Sequence, residues 1–176
     1  MNLTLCLAAL LLITLVCVIY RLRHPNPGDT GRRIISDVFA GAAIYAFLAP
    51  LAGGMAVTLG LAIVTWDANS LSLALLGAPW FYLFGLVPAL MCGAAAGALK
   101  PAVSSWRAWG RMTAIGGLYG FSLFLAFSRW EMSWTEFIFP LFVGALPGAI
   151  GSAICARLYY GKPGSHPSAA NETQQA

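Results

Sequence analysis

The stretch VFAGAAIYAFLAPLAGGMAVTLGLAIVTW, Val38 to Trp66, runs for 29 residues without a charged side chain. A helix crosses the ~30 Å hydrocarbon layer of a bilayer in about 20 mostly apolar residues. This run is longer than that, so it predicts a span that tilts or bends. Pro50 removes a backbone donor inside it and predicts a kink. Four more segments share its character: Leu3 to Tyr20, the 32 uncharged residues from Ala68 to Leu99, the shorter Met112 to Ser128 bordered by Trp109 and Trp130, and Phe137 to Ala156. Pro79 and Pro88 predict kinks in the third. The segments predict an all-α, multi-pass transmembrane bundle of five helices, with spans at about 3–20, 38–65, 71–99, 110–130 and 137–157, in a single domain over 1–160. Residues 161–176, rich in Gly, Pro, Ser, Asn and Gln, predict a disordered tail.

Composition agrees. Hydrophobic residues make up 59% of the 176 positions and charged residues only 9%, against roughly 25% charged in a soluble domain, whose surface must face water. Mean hydropathy is +0.76. The net charge of +4 does not point to nucleic acid, because the basic residues are scattered between apolar runs and form no stripe with aromatic interleaving. Membrane lipid is the partner this composition implies. The first segment has no basic residue ahead of it and no small-x-small site before Arg21, and bulky Val16 precedes Cys17, so it reads as a retained helix rather than a cleaved leader.

Charge placement predicts orientation. Arg21, Arg23, Arg32, Arg33, Lys100, Arg107, Arg111, Arg157 and Lys162 fall on one side of the five-span topology, and Arg129 alone falls on the other with Asp67, Glu131 and Glu136. Basic residues accumulate in cytoplasmic loops. The N-terminus is therefore expected outside and the C-terminus in the cytoplasm of a bacterial inner membrane. Trp66, Trp80, Trp130 and Trp134 would ring one interface, and Tyr20, Trp106, Trp109, Tyr159 and Tyr160 the other. Asn171-Glu-Thr matches a glycosylation acceptor, but on a cytoplasmic tail it reads as a chance match.

Two small-residue stripes stand out. Gly85, Ala89, Gly93 and Gly97 recur every fourth residue, and Gly144, Gly148, Ser152 and Ala156 repeat that spacing 59 positions later, with Pro88 and Pro147 also matched. Between the second and fourth spans an offset of 74 aligns Ala42 with Gly116, Tyr45 with Tyr119, Ala46 with Gly120 and Phe47 with Phe121. The pattern predicts that helices 2–3 and 4–5 form a parallel two-helix repeat about an axis along the membrane normal. In lipid, helices associate through close backbone approach, which Gly and Ala permit. The stripes, with Gly116 and Gly120, are accordingly candidates for packing inside the bundle or for a groove that docks a partner helix.

Chemistry-bearing patterns are scarce. No ionisable residue lies near the centre of a span, which disfavours a proton-coupled pathway. His24 and His166 have no Cys, Asp or His at ligand spacing, and Cys6, Cys17, Cys92 and Cys155 sit within spans, where a thiol acts as a small hydrophobe. No catalytic constellation, metal site or cofactor motif is present in the sequence. Tyr45 and Tyr119 each place a hydroxyl at hydrocarbon depth, where it needs a partner. Carbonyls freed by Pro50, Pro88 or Pro147 are the expected acceptors. The pair is either structural or faces a substrate between the repeats.

The stretch Tyr82-Leu-Phe-Gly-Leu-Val-Pro-Ala-Leu-Met-Cys-Gly93 resembles small inner-membrane proteins of bacteria that carry a Gly-x-x-Pro-Ala-x-x-x-Gly helix. The resemblance covers about a dozen residues and implies location more than activity. Small multi-pass proteins of this size and character include immunity proteins to membrane-active toxins, among them those delivered by type VI secretion. The resulting expectation is a non-enzymatic protein that binds or neutralises a membrane-inserted protein partner or toxin. The alternative is a small transporter or channel subunit with an uncharged path between two repeats.

The topology is checked with reporters that fluoresce only in the cytoplasm. A fusion after Gly161 should glow and one between Asp67 and Ser70 should stay dark; the reverse result overturns the orientation.

Overall fold

A computed structural model describes residues 3–66, 72–101, 104–127 and 134–162. They form α1 (Leu3–Arg23), α2 (Gly31–Thr65), α3 (Ser72–Ala98), α4 (Trp106–Phe127) and a fifth helix made of α5 (Trp134–Pro140), a π segment (Leu141–Ala145) and α6 (Leu146–Tyr160). Among the described residues, four helices are long and apolar enough to cross a membrane: α1, α2, α3 and the composite fifth. Helix α4 is not one of them; it carries Arg107 and Arg111 at its start. Arg129, Trp130, Glu131, the Asp67 to Ser70 loop and the acceptor at Asn171 lie outside the described residues.

Local chemistry explains the helix ends. Thr30 caps α2, its Oγ1 accepting from the Arg33 amide at 3.3 Å. The helix starts before the uncharged run, so its first turns carry Arg32, Arg33 and Asp37. At 35 residues it is ~52 Å long, more than the hydrocarbon requires, and these polar turns can reach water. It ends on Trp66 in the left-handed region (φ 54°), which any non-glycine residue adopts at a cost. Ser105 caps α4 by accepting from the Ala108 amide at 3.2 Å.

Helices α2 and α3 continue through Pro50, Pro79 and Pro88. The hydrogen-bond pattern departs from α type in the fifth helix, for which the sequence assigns a span and no kink. Pro140 leaves the Glu136 carbonyl and Pro147 the Val143 carbonyl without an amide donor, and between them the chain widens: the Leu146 amide bonds the Leu141 carbonyl, five residues back.

Helices α2 and α3 run antiparallel. An added Cβ on Gly93 would stand 2.5 Å from Gly41 O and 2.6 Å from Tyr45 Cβ, and one on Gly97 would stand 2.6 Å from Val38 Cα. Helix α4 and the composite fifth helix form a second antiparallel pair, in which a Cβ on Gly148 would stand 2.5 Å from Gly116 O and one on Gly144, in the π segment, 2.5 Å from Gly120 O. Helix α2 also packs along α6, where a Cβ added to Gly151 would stand 2.8 Å from Ala49 O. Helix α1 lies against α3 and α4 through Cys6, Leu10 and Thr14, one face at four-residue spacing. The outer surface presents Leu12, Val16, Phe47, Ile63, Val64 and Phe142, all exposed, a surface suited to hydrocarbon.

This alternation brings every basic residue among the described ones to one end of the bundle, where a polar network laces the helices. Arg21, only 8% exposed, pairs with Asp29 at 2.7 Å and donates to Lys100 O at 2.8 Å. Lys100 pairs with Asp37 at 2.7 Å, the Tyr159 hydroxyl donates to Asp37 O at 2.8 Å, and the Tyr160 hydroxyl donates to Ala96 O at 2.7 Å. Asp37, near the start of α2, is thus tied into a network with α3 and α6. The first-loop, α2, α3 and α6 ends are joined by it.

The glycine contacts set a prediction. Gly93→Ala and Gly148→Ala each place a methyl against backbone that cannot swing aside, and each should cost ~1–3 kcal/mol of stability, read as lower thermal stability in detergent. Gly110→Ala meets nothing within 4 Å and should be neutral or stabilising by ~0.4–1 kcal/mol. Equal behaviour of the three variants would show that these contacts do not hold the hairpins together.

Candidate functional site

The two hairpins wall a cleft of about 300 Å³ that opens to the surface beside Trp80 and Phe84, which are 60% and 44% exposed. It lies in the half of the bundle away from the basic end, and none of its lining residues carries a charge. Of the residues singled out from sequence, Gly85, Ala89, Gly116, Gly120, Gly144, Gly148, Ser152, Tyr45 and Tyr119 all border it; Gly93 and Gly97 lie nearer the basic end, where α2 and α3 are in contact. Both stripes face the other helix of their own hairpin. Gly85 sits on Pro50, Gly93 on Gly41 and Ala42, Gly97 on Asp37 and Val38; Gly120 sits on Gly144, and Gly116 on Gly148 and Ser152. The faces considered as partner grooves are therefore occupied within the chain.

Tyr45 and Tyr119 are 0% and 1% exposed and are among the largest fully buried side chains. Their acceptors differ from the expectation. The Tyr45 hydroxyl donates to Ser152 O at 3.3 Å, not to a carbonyl freed by proline. The Tyr119 hydroxyl lies 2.7 Å from Thr14 Oγ1 and 3.3 Å from Leu10 O. Thr14 Oγ1 is itself 2.9 Å from Leu10 O and 3.4 Å from Met91 O. Each hydroxyl has one hydrogen, so the shortest consistent chain runs from Tyr119 to Thr14 to Leu10 O. The acceptors come from tertiary neighbours, α6 for Tyr45 and α1 for Tyr119. Ser152 completes the set: its Oγ donates to Met112 O at 2.7 Å, joining α6 to α4.

The hydroxyls are thus used inside the protein. The walls are aromatic and aliphatic: Trp80, Phe81 and Phe84 from α3, Leu123 and Phe124 from α4, Val57 from α2. Gly54 has no side chain because the Phe81 ring occupies that place. Sequence reading missed these walls. The signal was present in the aromatic run Trp80-Phe81-Tyr82-Leu83-Phe84, set in an uncharged helix, but the run itself does not reveal which rings turn inward. Toward the basic end, Cys92, Ala96, Met112, Cys155 and Ala156 pack into a closed core. Such a site selects by shape and apolar contact, not by charge.

The hydroxyl chain is checked by a double-mutant cycle. Thr14→Val and Tyr119→Phe should couple by about 0.6 kcal/mol, the average for interhelical hydrogen bonds in membranes, whereas Thr14→Val and Tyr45→Phe should be additive. No coupling in the first pair would remove the bond from the account.

Compared with family models, with curated proteins and with solved structures, the chain matches none.

Proposed function

We propose that this chain is a non-enzymatic integral membrane protein that holds an apolar chain, the acyl or isoprenoid part of a lipid-like solute, between two helical hairpins, as a small transporter or carrier subunit does. One observation carries the reading: an uncharged cavity whose walls come from both hairpins. Its volume of about 300 Å³ is at the lower end of the ligand-pocket range and about twice the ~150 Å³ apolar cavity that accepts benzene. An uncharged cleft lined by aromatic and aliphatic side chains favours apolar guests over charged ones.

Packing register supports treating the hairpins as two copies of one unit. Gly85 rests on Pro50, and the positions 59 and 74 residues on, Gly144 and Phe124, are also in contact. Gly93 rests on Ala42, and by the same offsets Ser152 rests on Gly116. Sites at the interface of two repeats are the usual arrangement in transporters built by duplication. In this reading all five helices span a bacterial inner membrane. Helix α4 is shielded by its neighbours, the N-terminus is outside and the basic end lies in the cytoplasm. The immunity alternative rests on a free grooved face, and the small-residue grooves are already filled by partner helices of the chain.

The test uses a diazirine-bearing palmitate as a photoreactive probe on the purified full chain. Labelled peptides should contain Trp80 to Phe84 and Phe124, and Val57→Trp should reduce that labelling at least about fivefold by filling the space. Leu59→Trp, on the exposed face of α2, should leave it unchanged. Labelling confined to outward-facing residues, and equal in both variants, would reject the cavity as the site.

A further inference from the structure

A second cavity, of about 240 Å³, opens at the basic end between Leu99 and Pro101, after α3, and the first turns of α4. Its polar side chains are Arg107, Arg111 and Ser105; Leu99, Pro101 and Met112 supply apolar surface. The two arginines are four residues apart, so they share one face of α4 one turn above the other. Both are exposed, and among the described residues neither has a carboxylate partner. That separates them from the other cations bordering this end of α3: Arg21 is held by Asp29 and Lys100 by Asp37.

The backbone adds to the same field. The first amides of α4 have no intrahelical acceptor, and the helix macrodipole places partial positive charge there. Ser105 Oγ accepts from the Ala108 amide, which leaves its hydroxyl hydrogen free to donate into the pocket. Depth is marked by Trp106 and Trp109, whose rings meet edge-on at 5.5 Å; Trp106 is exposed, as aromatic residues at a headgroup boundary are.

We infer that the Arg107–Arg111–Ser105 pocket binds the phosphodiester headgroup of an anionic membrane lipid. Two guanidinium forks and a hydroxyl match phosphate oxygens, and the apolar wall matches the start of the lipid's chains. The inference requires that the bundle sit in a bilayer, and it does not depend on what fills the larger cavity.

Thermal unfolding of the full chain in a neutral maltoside detergent tests it, with phosphatidylglycerol titrated in and phosphatidylcholine and inorganic phosphate as comparators. Phosphatidylglycerol should raise Tm saturably and the comparators should not. R107Q/R111Q should keep the lipid-free Tm and raise the apparent Kd for phosphatidylglycerol about tenfold or more. R32Q/R33Q removes two exposed charges from the same end and should leave that Kd unchanged. R107K/R111K, which keeps the charge but loses the forked donors, should weaken binding as well. An unchanged Kd in R107Q/R111Q would overturn the site, and an equal loss in R32Q/R33Q would reduce it to general surface charge. A shift given equally by inorganic phosphate would overturn the assignment to lipid.

Discussion

Two backbones can approach to van der Waals contact only where no side chain stands between them, and the bundle is organised around places where this happens. At Gly41, Gly93 and Gly97 the α2 and α3 backbones touch; at Gly116, Gly120, Gly144 and Gly148 those of α4 and the composite fifth helix do. In hydrocarbon, apolar side chains gain little by leaving lipid for protein, so dense packing and interhelical hydrogen bonds must supply the attraction. Close approach supplies the first. It also brings polar atoms of facing helices into reach, as in the 2.7 Å bond from Ser152 Oγ to Met112 O.

The cavity follows from where that contact stops. In the first hairpin small residues give way to Pro50, Phe81 and Phe84; in the second, to Leu123 and Phe124. Aromatic rings fill the space between the helices there, and Gly54 leaves room for the Phe81 ring that lines the gap. One end of the bundle is therefore closed by packing and laced by ion pairs, while the other half holds an uncharged space. Helix α1 contributes differently in the two hairpins: it supplies Thr14 to Tyr119, while Tyr45 bonds α6 directly. If the hairpins descend from one unit, α1 is the element that breaks their equivalence.

The polar end shows how charges that are ordinary in sequence acquire distinct work. Arg21 and Lys100 are consumed by Asp29 and Asp37, which fastens the loops and helix ends over the closed core. Arg107 and Arg111 have no such carboxylate among the described residues. They lie beside a hollow with an apolar wall, which makes them available to an anion.

Helix number, the apolar character of the spans and the placement of small residues were legible in the sequence, because each depends on local composition and period. Length without charge marks a span, and a four-residue recurrence of Gly marks one helix face. The stripe positions could be named, but which way they faced could not, since an inward and an outward groove have the same period. Nor could the partners of Tyr45 and Tyr119, which come from helices more than 100 residues away in the chain. Pro140 and Pro147, which flank the Leu141–Ala145 widening, were visible in the sequence, but the five-residue hydrogen-bond step between them was not. The chain by itself determined an all-helical bundle with spans fit for lipid. Only the tertiary structure decided that the small residues face inward, that aromatic rings line an open space, and which charges are left unpaired, because each depends on which side chains meet across helices.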